Sequence, residues 1–234
     1  NKGPILEVLQ RWLGHQAGLV LEIGAGTGQH AVHFARHLPR LSWQPTEQLE
    51  HLAALTARIE LEGSCNLLAP LELDVEQGAW PCDADSVDAV YTANTLHIVS
   101  WPQVQALFRG VGRVLREQGL LIVYGPFRYG GQFTSHSNAV FDEALRSRDP
   151  LSGIRDFEAV DALATAQGLG LVEDCAMPAN NQTLVWRRYG PAAPAGHDAA
   201  QLAAQMEPVR SAAAALLLNE AAAAQPDPRA GFIQ

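Results

Sequence analysis

The sequence predicts an α/β domain built on a mostly parallel sheet of seven strands, ended by an antiparallel hairpin and covered by helices on both faces. Three observations carry this. Short apolar runs bounded by turn residues alternate with longer helical patterns from residue 5 to about residue 188, the rhythm of repeated βαβ units. The first run closes in a glycine cluster that opens a helix. The final two runs are separated only by Pro178-Ala179-Asn180-Asn181, which is hairpin spacing and sets at least one strand antiparallel to the rest.

Taken in order, Ile5 to Leu13 reads as a helix and Leu19 to Ile23 as a short buried strand. His30 to His37 is helical, and Leu41 to Gln44 is a strand that Pro45 stops. A helix over Leu49 to Leu61 leads to a third strand, Leu71 to Val75, and a fourth follows at Val87 to Ala93 with Val, Val and Tyr at its centre. Ser100 to Leu115 is a helix in which Ser100 and Gln103 set up a capping box. Gly119 to Tyr124 is the fifth strand. Helices over Asn138 to Arg148 and Phe157 to Gln167 precede the closing strands, Leu169 to Met177 and Gln182 to Arg187.

Composition narrows the function classes. The chain has 234 residues, 47% of them hydrophobic and 18% charged, an ordinary globular balance. No apolar run approaches the roughly 18 residues of a spanning helix, so no membrane partner is expected. The N-terminal Asn1-Lys2-Gly3-Pro4-Ile5 has no signal-peptide pattern. A net charge of −9 argues against nucleic acid as a partner. Cys65, Cys82 and Cys175 are far apart and form no CxxC, so no metal is expected and a reducing, cytoplasmic setting is.

After Gly190 the composition turns alanine-rich between Pro191, Pro194, Pro226 and Pro228. Leu202, Met206, Val209, Ala213 and Leu216 form one helical stripe, which Pro208 divides. The expected division is a domain over 1–188 and an Ala/Pro-rich, partly helical extension over 189–234. That extension is either a linker or a helix packing on its own domain or on a second copy, which would make a homodimer.

The strongest motif is Leu21-Glu22-Ile23-Gly24-Ala25-Gly26-Thr27-Gly28-Gln29-His30. The dinucleotide fingerprint needs glycine at position 29, where Gln stands, and a P-loop needs a lysine that is absent. Glycines at 24, 26 and 28 with Glu22 two before them instead resemble motif I of Rossmann-like class I S-adenosylmethionine methyltransferases. That resemblance implies S-adenosylmethionine as cofactor, S-adenosylhomocysteine as product, and a turn that admits ribose and the methionyl part. Glu47, about 20 residues on and just past the second strand, stands where a carboxylate takes a ribose hydroxyl pair. Asp74 ends the third strand, where a carboxylate can accept from the adenine amino group. Each acid could instead be a solvated strand cap. Asn94 joins the cofactor residues. His97 is the side chain in Thr92 to Ile98 that titrates near neutrality, as a general base or as a packed, backbone-bonded histidine.

Further matches are family-specific: Asn1-Lys2 with Pro4-Ile5-Leu6, Trp43-Gln44-Pro45, Ala93-Asn94 with Leu96-His97-Ile98, and Tyr124-Gly125-Pro126-Phe127. Ser137-Asn138 with Phe141-Asp142, Asp149-Pro150 with Gly153-Ile154-Arg155-Asp156, and Met177 to Asn181 continue the pattern. Over residues 1 to about 188 the chain resembles the methyltransferase-like protein 26 family, whose substrate is unassigned. The family usually carries Ser-Asp where this chain has Thr46-Glu47.

The acceptor side is expected from later segments. Asn138 and Asp142 share a helical face with Phe141 and Leu145 beside it, so both point inward. They serve either a ligand, with Asp142 as a catalytic group, or an internal network with Arg146 or Arg155. Tyr124, Phe127 and Tyr129 could form an aromatic wall, or in the case of Phe127 ordinary core. Arg155, Asn180 and Asn181 complete the candidates, and Gly130-Gly131 with the polar run to Ser137 reads as a lid. The expected reaction is methyl transfer from S-adenosylmethionine to an N, O or S nucleophile of a small-molecule acceptor. Its rivals are a protein side-chain methyltransferase, a non-catalytic cofactor-binding module and a nicotinamide-dependent oxidoreductase.

Overall fold

The computed structural model describes residues 1–190. In chain order it runs α1 (Lys2–Leu13), β1 (Gly18–Ile23), α2 (Gln29–His37), β2 (Leu41–Glu47), α3 (Leu49–Glu62), β3 (Leu71–Glu72), β4 (Val87–Ala93), α4 (Trp101–Val114) and β5 (Leu115–Gly125). It continues with β6 (Phe127–Tyr129), β7 (Gln132–Phe133), α5 (His136–Arg148), β8 (Arg155–Asp156), α6 (Phe157–Ala166), β9 (Leu169–Met177) and β10 (Asn181–Arg188). The last described strand, β10, ends at Arg188. The helical stripe from Leu202 and the expected dimer contact lie outside the described residues.

The main sheet has seven strands in the order β3-β2-β1-β4-β5-β10-β9. The pairs β1–β2, β1–β4, β2–β3 and β4–β5 are parallel, and β10 is antiparallel to both β5 and β9. This is the Rossmann-like methyltransferase fold. The closing hairpin folds back so that its second strand, β10, inserts between β5 and β9. Because the chain leaves β1 first towards β2 and later returns to β4 on its other side, a switch point opens beyond the carboxyl ends of β1 and β4.

Alternation of side chains along each strand splits the core into two layers. On one face, α1 and α2 pack Ile5, Leu9 and Phe34 against Trp43, Tyr91 and Ile122. On the other, α4 and α6 pack Leu107, Phe108 and Val160 against Leu21, Val90, Leu121 and Trp186. Edge-to-face ring pairs hold each layer, Phe34–Tyr91 at 5.5 Å and Phe108–Trp186 at 6.3 Å. The capping box forms at α4: Ser100 Oγ accepts from the Gln103 amide while Gln103 Oε1 accepts from the Ser100 amide.

Two local expectations give way. Pro45 does not stop β2, which runs on to Glu47. The Trp43 amide bonds Asn66 O at 2.8 Å, so the nitrogen of Pro45, two residues on, faces the same flank. The β3 ladder begins there only at Thr46, and Gln44 Nε2 fills the gap by donating to Ala69 O at 2.7 Å. The second concerns Gly130-Gly131. They turn the β6–β7 hairpin of a small three-stranded sheet with β8, and the Gly130 amide is tied to Glu158 Oε1 at 2.9 Å, so the segment read as a lid begins in a paired hairpin.

Gly110 inside α4 is fixed by packing. A Cβ there would lie 1.9 Å from Trp80 Cζ2. Gly110→Ala should therefore destabilise by about 1–3 kcal/mol, although alanine is the better helix former. Gly3→Ala in α1, with nothing within 4 Å of the new methyl, should stabilise by about 0.5–1 kcal/mol. Urea denaturation of the pair reads the opposite signs.

Candidate functional site

At the switch point a cavity of about 230 Å³ opens between the ends of β1, β2 and β4. Gly24, Glu47 and Asn94, three of the cofactor residues proposed from sequence, line it. Gly24 has φ +68, and a Cβ there would meet Thr95 Oγ1 at 2.9 Å, so the turn closes over Thr95 only with glycine. Glu47 is 8% exposed, and its carboxylate is braced from two sides. Its Oε2 accepts from the Gly26 amide at 2.6 Å and its Oε1 from the Gln48 amide at 2.8 Å. Gly26 itself, at φ +57, has no atom within 4 Å of where a Cβ would stand. Asn94 is exposed at φ +58, and its amide is anchored on Tyr124 O at 2.9 Å.

Other expected cofactor residues serve the frame. Gly28, at φ +77, starts α2. Asp74 lies between Leu73 and Val75, which line the cavity, but its carboxylate turns to the Glu76 amide at 3.0 Å and Gln77 Nε2 at 3.4 Å. Glu22 is 2% exposed beneath the glycine turn, where its Oε2 accepts from Trp43 Nε1 at 2.6 Å. Burial, and secondarily the Glu47 charge, push its pKa up to about 7, against the Trp43 bond. Gln48, His51, Thr95 and Ile98 also line the cavity and were not expected. The signal was present for Gln48 and His51: they follow Glu47 at the start of α3, three residues apart and so on one side of it.

The loop after β4 separates this cavity from the expected acceptor residues. Its four carbonyls 96 to 99 are all gripped from the segment before α6: Leu96 O by Arg155 Nε at 2.9 Å, His97 O by the Gly153 amide at 2.9 Å, Ile98 O by Ser152 Oγ at 2.6 Å, and Val99 O by Arg155 Nη2. Arg155 is thereby a clasp. Asp142 is one too. Its Oδ1 accepts from the Ile154 amide at 2.6 Å and its Oδ2 from Arg146 Nε at 2.7 Å, the internal network.

His97 is 5% exposed and meets Phe141 edge-on at 5.5 Å. Burial, with the Arg155 charge, lowers its pKa to about 4, so at neutral pH its ring is uncharged. Asn138 Nδ2 donates to Thr134 Oγ1 and Asn180 O, both at 2.9 Å, fastening α5 to the β9–β10 turn. Asn180 Nδ2 returns to Ser137 Oγ at 3.2 Å, while Asn181 Nδ2 bonds Pro178 O and Ala179 O at 3.3 Å. The aromatic wall does not assemble. Phe127 is 1% exposed in the α4/α6 core and Tyr124 lies in the α1/α2 core, on the opposite face. Tyr129 stacks on Phe157 at 5.3 Å. Among the described residues no helix is long and apolar enough to cross a membrane, and no three His, Cys, Asp or Glu side chains cluster as a metal site.

Residues 1–188 match a family model described as "Protein of unknown function (DUF938)". Among solved structures, the chain is similar to the S-adenosylmethionine-dependent methyltransferase SibL in its apo form, with TM-score 0.67 and 19% identity over 81% of this chain and 55% of that one. An O-methyltransferase family 2 protein from Planctomyces limnophilus in complex with apigenin gives TM-score 0.69 and 18% identity over 80% and 56%. The structure described as PigF with SAH gives 0.66 and 16% over 79% and 54%. The chain spans about half the length of these structures, and the likeness is one of fold.

The buried titrations oppose one another. His97 and His30, both lowered from 6.5 to about 4, are neutral when folded but protonate when unfolded, so they add stability as pH rises from 4 to 6.5. Glu22, raised from 4.5 to about 7, binds a proton in the folded state that the unfolded state has lost, so its contribution is full below 4.5 and declines as pH climbs to 7. Stability measured by urea denaturation across pH should rise to about 6.5 and then fall towards 7. Glu22→Gln should abolish the fall and steepen the rise, each group supplying a slope of at most about 1.4 kcal/mol per pH unit.

Proposed function

The chain belongs to the family described as protein of unknown function DUF938, and from that premise, which assigns no reaction, we propose that it is an S-adenosylmethionine-dependent methyltransferase acting on a small-molecule acceptor. The observation that carries the reading is the braced Glu47 carboxylate across from the open Gly26 turn at the switch point. Each Glu47 oxygen takes one backbone N–H and keeps a further acceptor position, which suits a pair of sugar hydroxyls. The space above Gly26 is free for the ribose and methionyl part to approach. Ile23, Leu73, Val75 and Val99 give an apolar slot suited to adenine. The lining holds one carboxylate and no Lys or Arg, a setting that favours a sulfonium over a pyrophosphate. The solved methyltransferases with the same fold, one described with SAH, support the assignment. So does the resemblance to the methyltransferase-like protein 26 family, which we take as the finer placement within this fold.

Bound S-adenosylmethionine supplies a methyl group made electrophilic by its sulfonium. The protein's part is to hold and to exclude. Glu47 would fix the ribose, and the gripped loop at 94–99 sets the floor of the cavity so that Asn94, Thr95 and Ile98 keep their places. Such positioning supplies much of the acceleration available to a methyl displacement. His97, the expected base, is 5% exposed and is not among the residues lining the cleft, so no proton transfer is assigned to it. The net charge of −9 favours an uncharged or cationic nucleophile over nucleic acid.

Two variants test the anchor. Glu47→Ala should weaken S-adenosylhomocysteine binding by about 10- to 100-fold, and Glu47→Gln, which keeps one acceptor oxygen, by less. Incubation with methyl-labelled S-adenosylmethionine and a panel of small N, O and S nucleophiles should yield label transfer with wild type and little with Glu47→Ala. Cofactor binding with no transfer to any acceptor class would contradict the enzymatic reading.

A further inference from the structure

Behind the gripped loop lies a second cavity, of about 200 Å³, onto which Arg128, Arg146 and Arg155 converge beside Trp101 and Asp156. Its charges do not balance. Arg128 pairs with Asp156 at 2.6 Å and Arg146 with Asp142 at 2.7 Å. Arg155 has no carboxylate partner among the described residues. Carbonyls hold it, Leu96 O and Leu151 O at 2.9 Å together with Val99 O, and its guanidinium carbon stands 5.9 Å from the Trp101 ring centre. Dipoles and an aromatic face fix a guanidinium in place without neutralising it. One arginine is therefore left without a carboxylate partner at the cavity wall, while Glu158, whose bonded partner is a neutral amide, adds a negative charge in the first turn of α6. Burial lowers the Arg155 pKa, and the neighbouring Arg146 and Arg128 charges lower it further, Asp142 acting against them.

The start of α6 adds to this. Asp156 is its N-cap residue, yet the side chain makes no capping bond and turns to Arg128 instead. The first-turn amides of α6 therefore lack the side-chain acceptor that an N-cap ordinarily provides. The other acid of that turn, Glu158, is occupied by the Gly130 amide. Arg128 Nε, moreover, is a buried donor with no acceptor, and Asp156 Oδ1 beside it is a buried acceptor with no donor. Unmet buried groups are rare in folded proteins, and these two belong to one ion pair, Arg128 with Asp156, whose second hydrogen bond is not made.

We propose that this cavity is an oxyanion site, taking the carboxylate or phosphate group of a small molecule on the Arg128, Arg146 and Arg155 guanidiniums. Planar guanidinium forks match both oxyanions. Asp156 limits the site, since its carboxylate repels the ligand while it steadies Arg128. The site is independent of the cofactor reading, and its test needs no cofactor.

The test is calorimetric titration of inorganic phosphate and of acetate, at ionic strength held constant with chloride, into wild type, Arg146→Gln and Asp156→Asn. Arg146 is the most exposed of the three arginine side chains whose exposure bears on folding, at 45%, and Asn keeps the capping capacity of Asp156, so both variants should fold, with circular dichroism as the check. Saturable binding of at least one anion is expected in wild type. It should be about tenfold weaker in Arg146→Gln and tighter in Asp156→Asn. A preference for phosphate or for acetate identifies the natural ligand's group. Arginines that only fasten the fold would not give affinity shifts of opposite sign. Absence of saturable binding by both anions, or binding that neither substitution changes, overturns the proposal.

Discussion

The 2.6 Å bond from the Gly26 amide to Glu47 Oε2 joins the glycine turn after β1 to the end of β2. The cleft depends on that tie. It sets how far the two strand ends stand apart and aims the carboxylate into the cavity instead of towards solvent. The chain affords it only through two other features. Pro45 must be tolerated so that β2 reaches Glu47, and Gly26 must lack a side chain so that its amide can face the carboxylate while the space above stays open. The neighbouring Glu22 is the cost of this construction. It is a second carboxyl, buried beneath the turn, that Trp43 alone partly satisfies and that holds its proton to about pH 7.

A second tie sets the opposite wall. Ser152, Gly153 and Arg155 take all four carbonyls from Leu96 to Val99, and Asp142 in turn fixes Ile154 beside them. The loop after β4 thus has its backbone satisfied by a segment more than 50 residues away, which accounts for its regular placement without secondary structure of its own. Asp142, attractive in sequence as a ligand group, has both carboxylate oxygens occupied in this way. Arg155 keeps its charge uncompensated because its partners are carbonyls.

The order and type of the main elements were legible because they rest on local pattern: apolar runs, helical stripes, the Ser100/Gln103 box and the short Pro/Asn link before β10. So was the cleft's position, since a glycine turn after the first strand and an acid after the second define it. What pattern could not reveal depends on partners distant in sequence. Pro45 looks like a strand end until the gap in the β3 ladder is seen. Tyr124 and Phe127 look like neighbours on one wall, yet the alternation of β5 and the start of β6 send them to opposite core layers. Asp74 looked equivalent to Glu47, but β3 ends at Glu72 and leaves its carboxylate free to cap the following turn. Inward polar residues on α5 were read correctly as inward. Which partner they meet was decided by the loop at 149–155 and the turn at 178–181.

The central claim is that the cleft at the switch point is made for S-adenosylmethionine and not for a dinucleotide. Titration calorimetry of the wild-type protein with S-adenosylhomocysteine, and separately with NAD, tests it most directly. The account predicts saturable binding of S-adenosylhomocysteine with a dissociation constant on the order of micromolar and no binding of NAD. Binding of NAD without S-adenosylhomocysteine would contradict it.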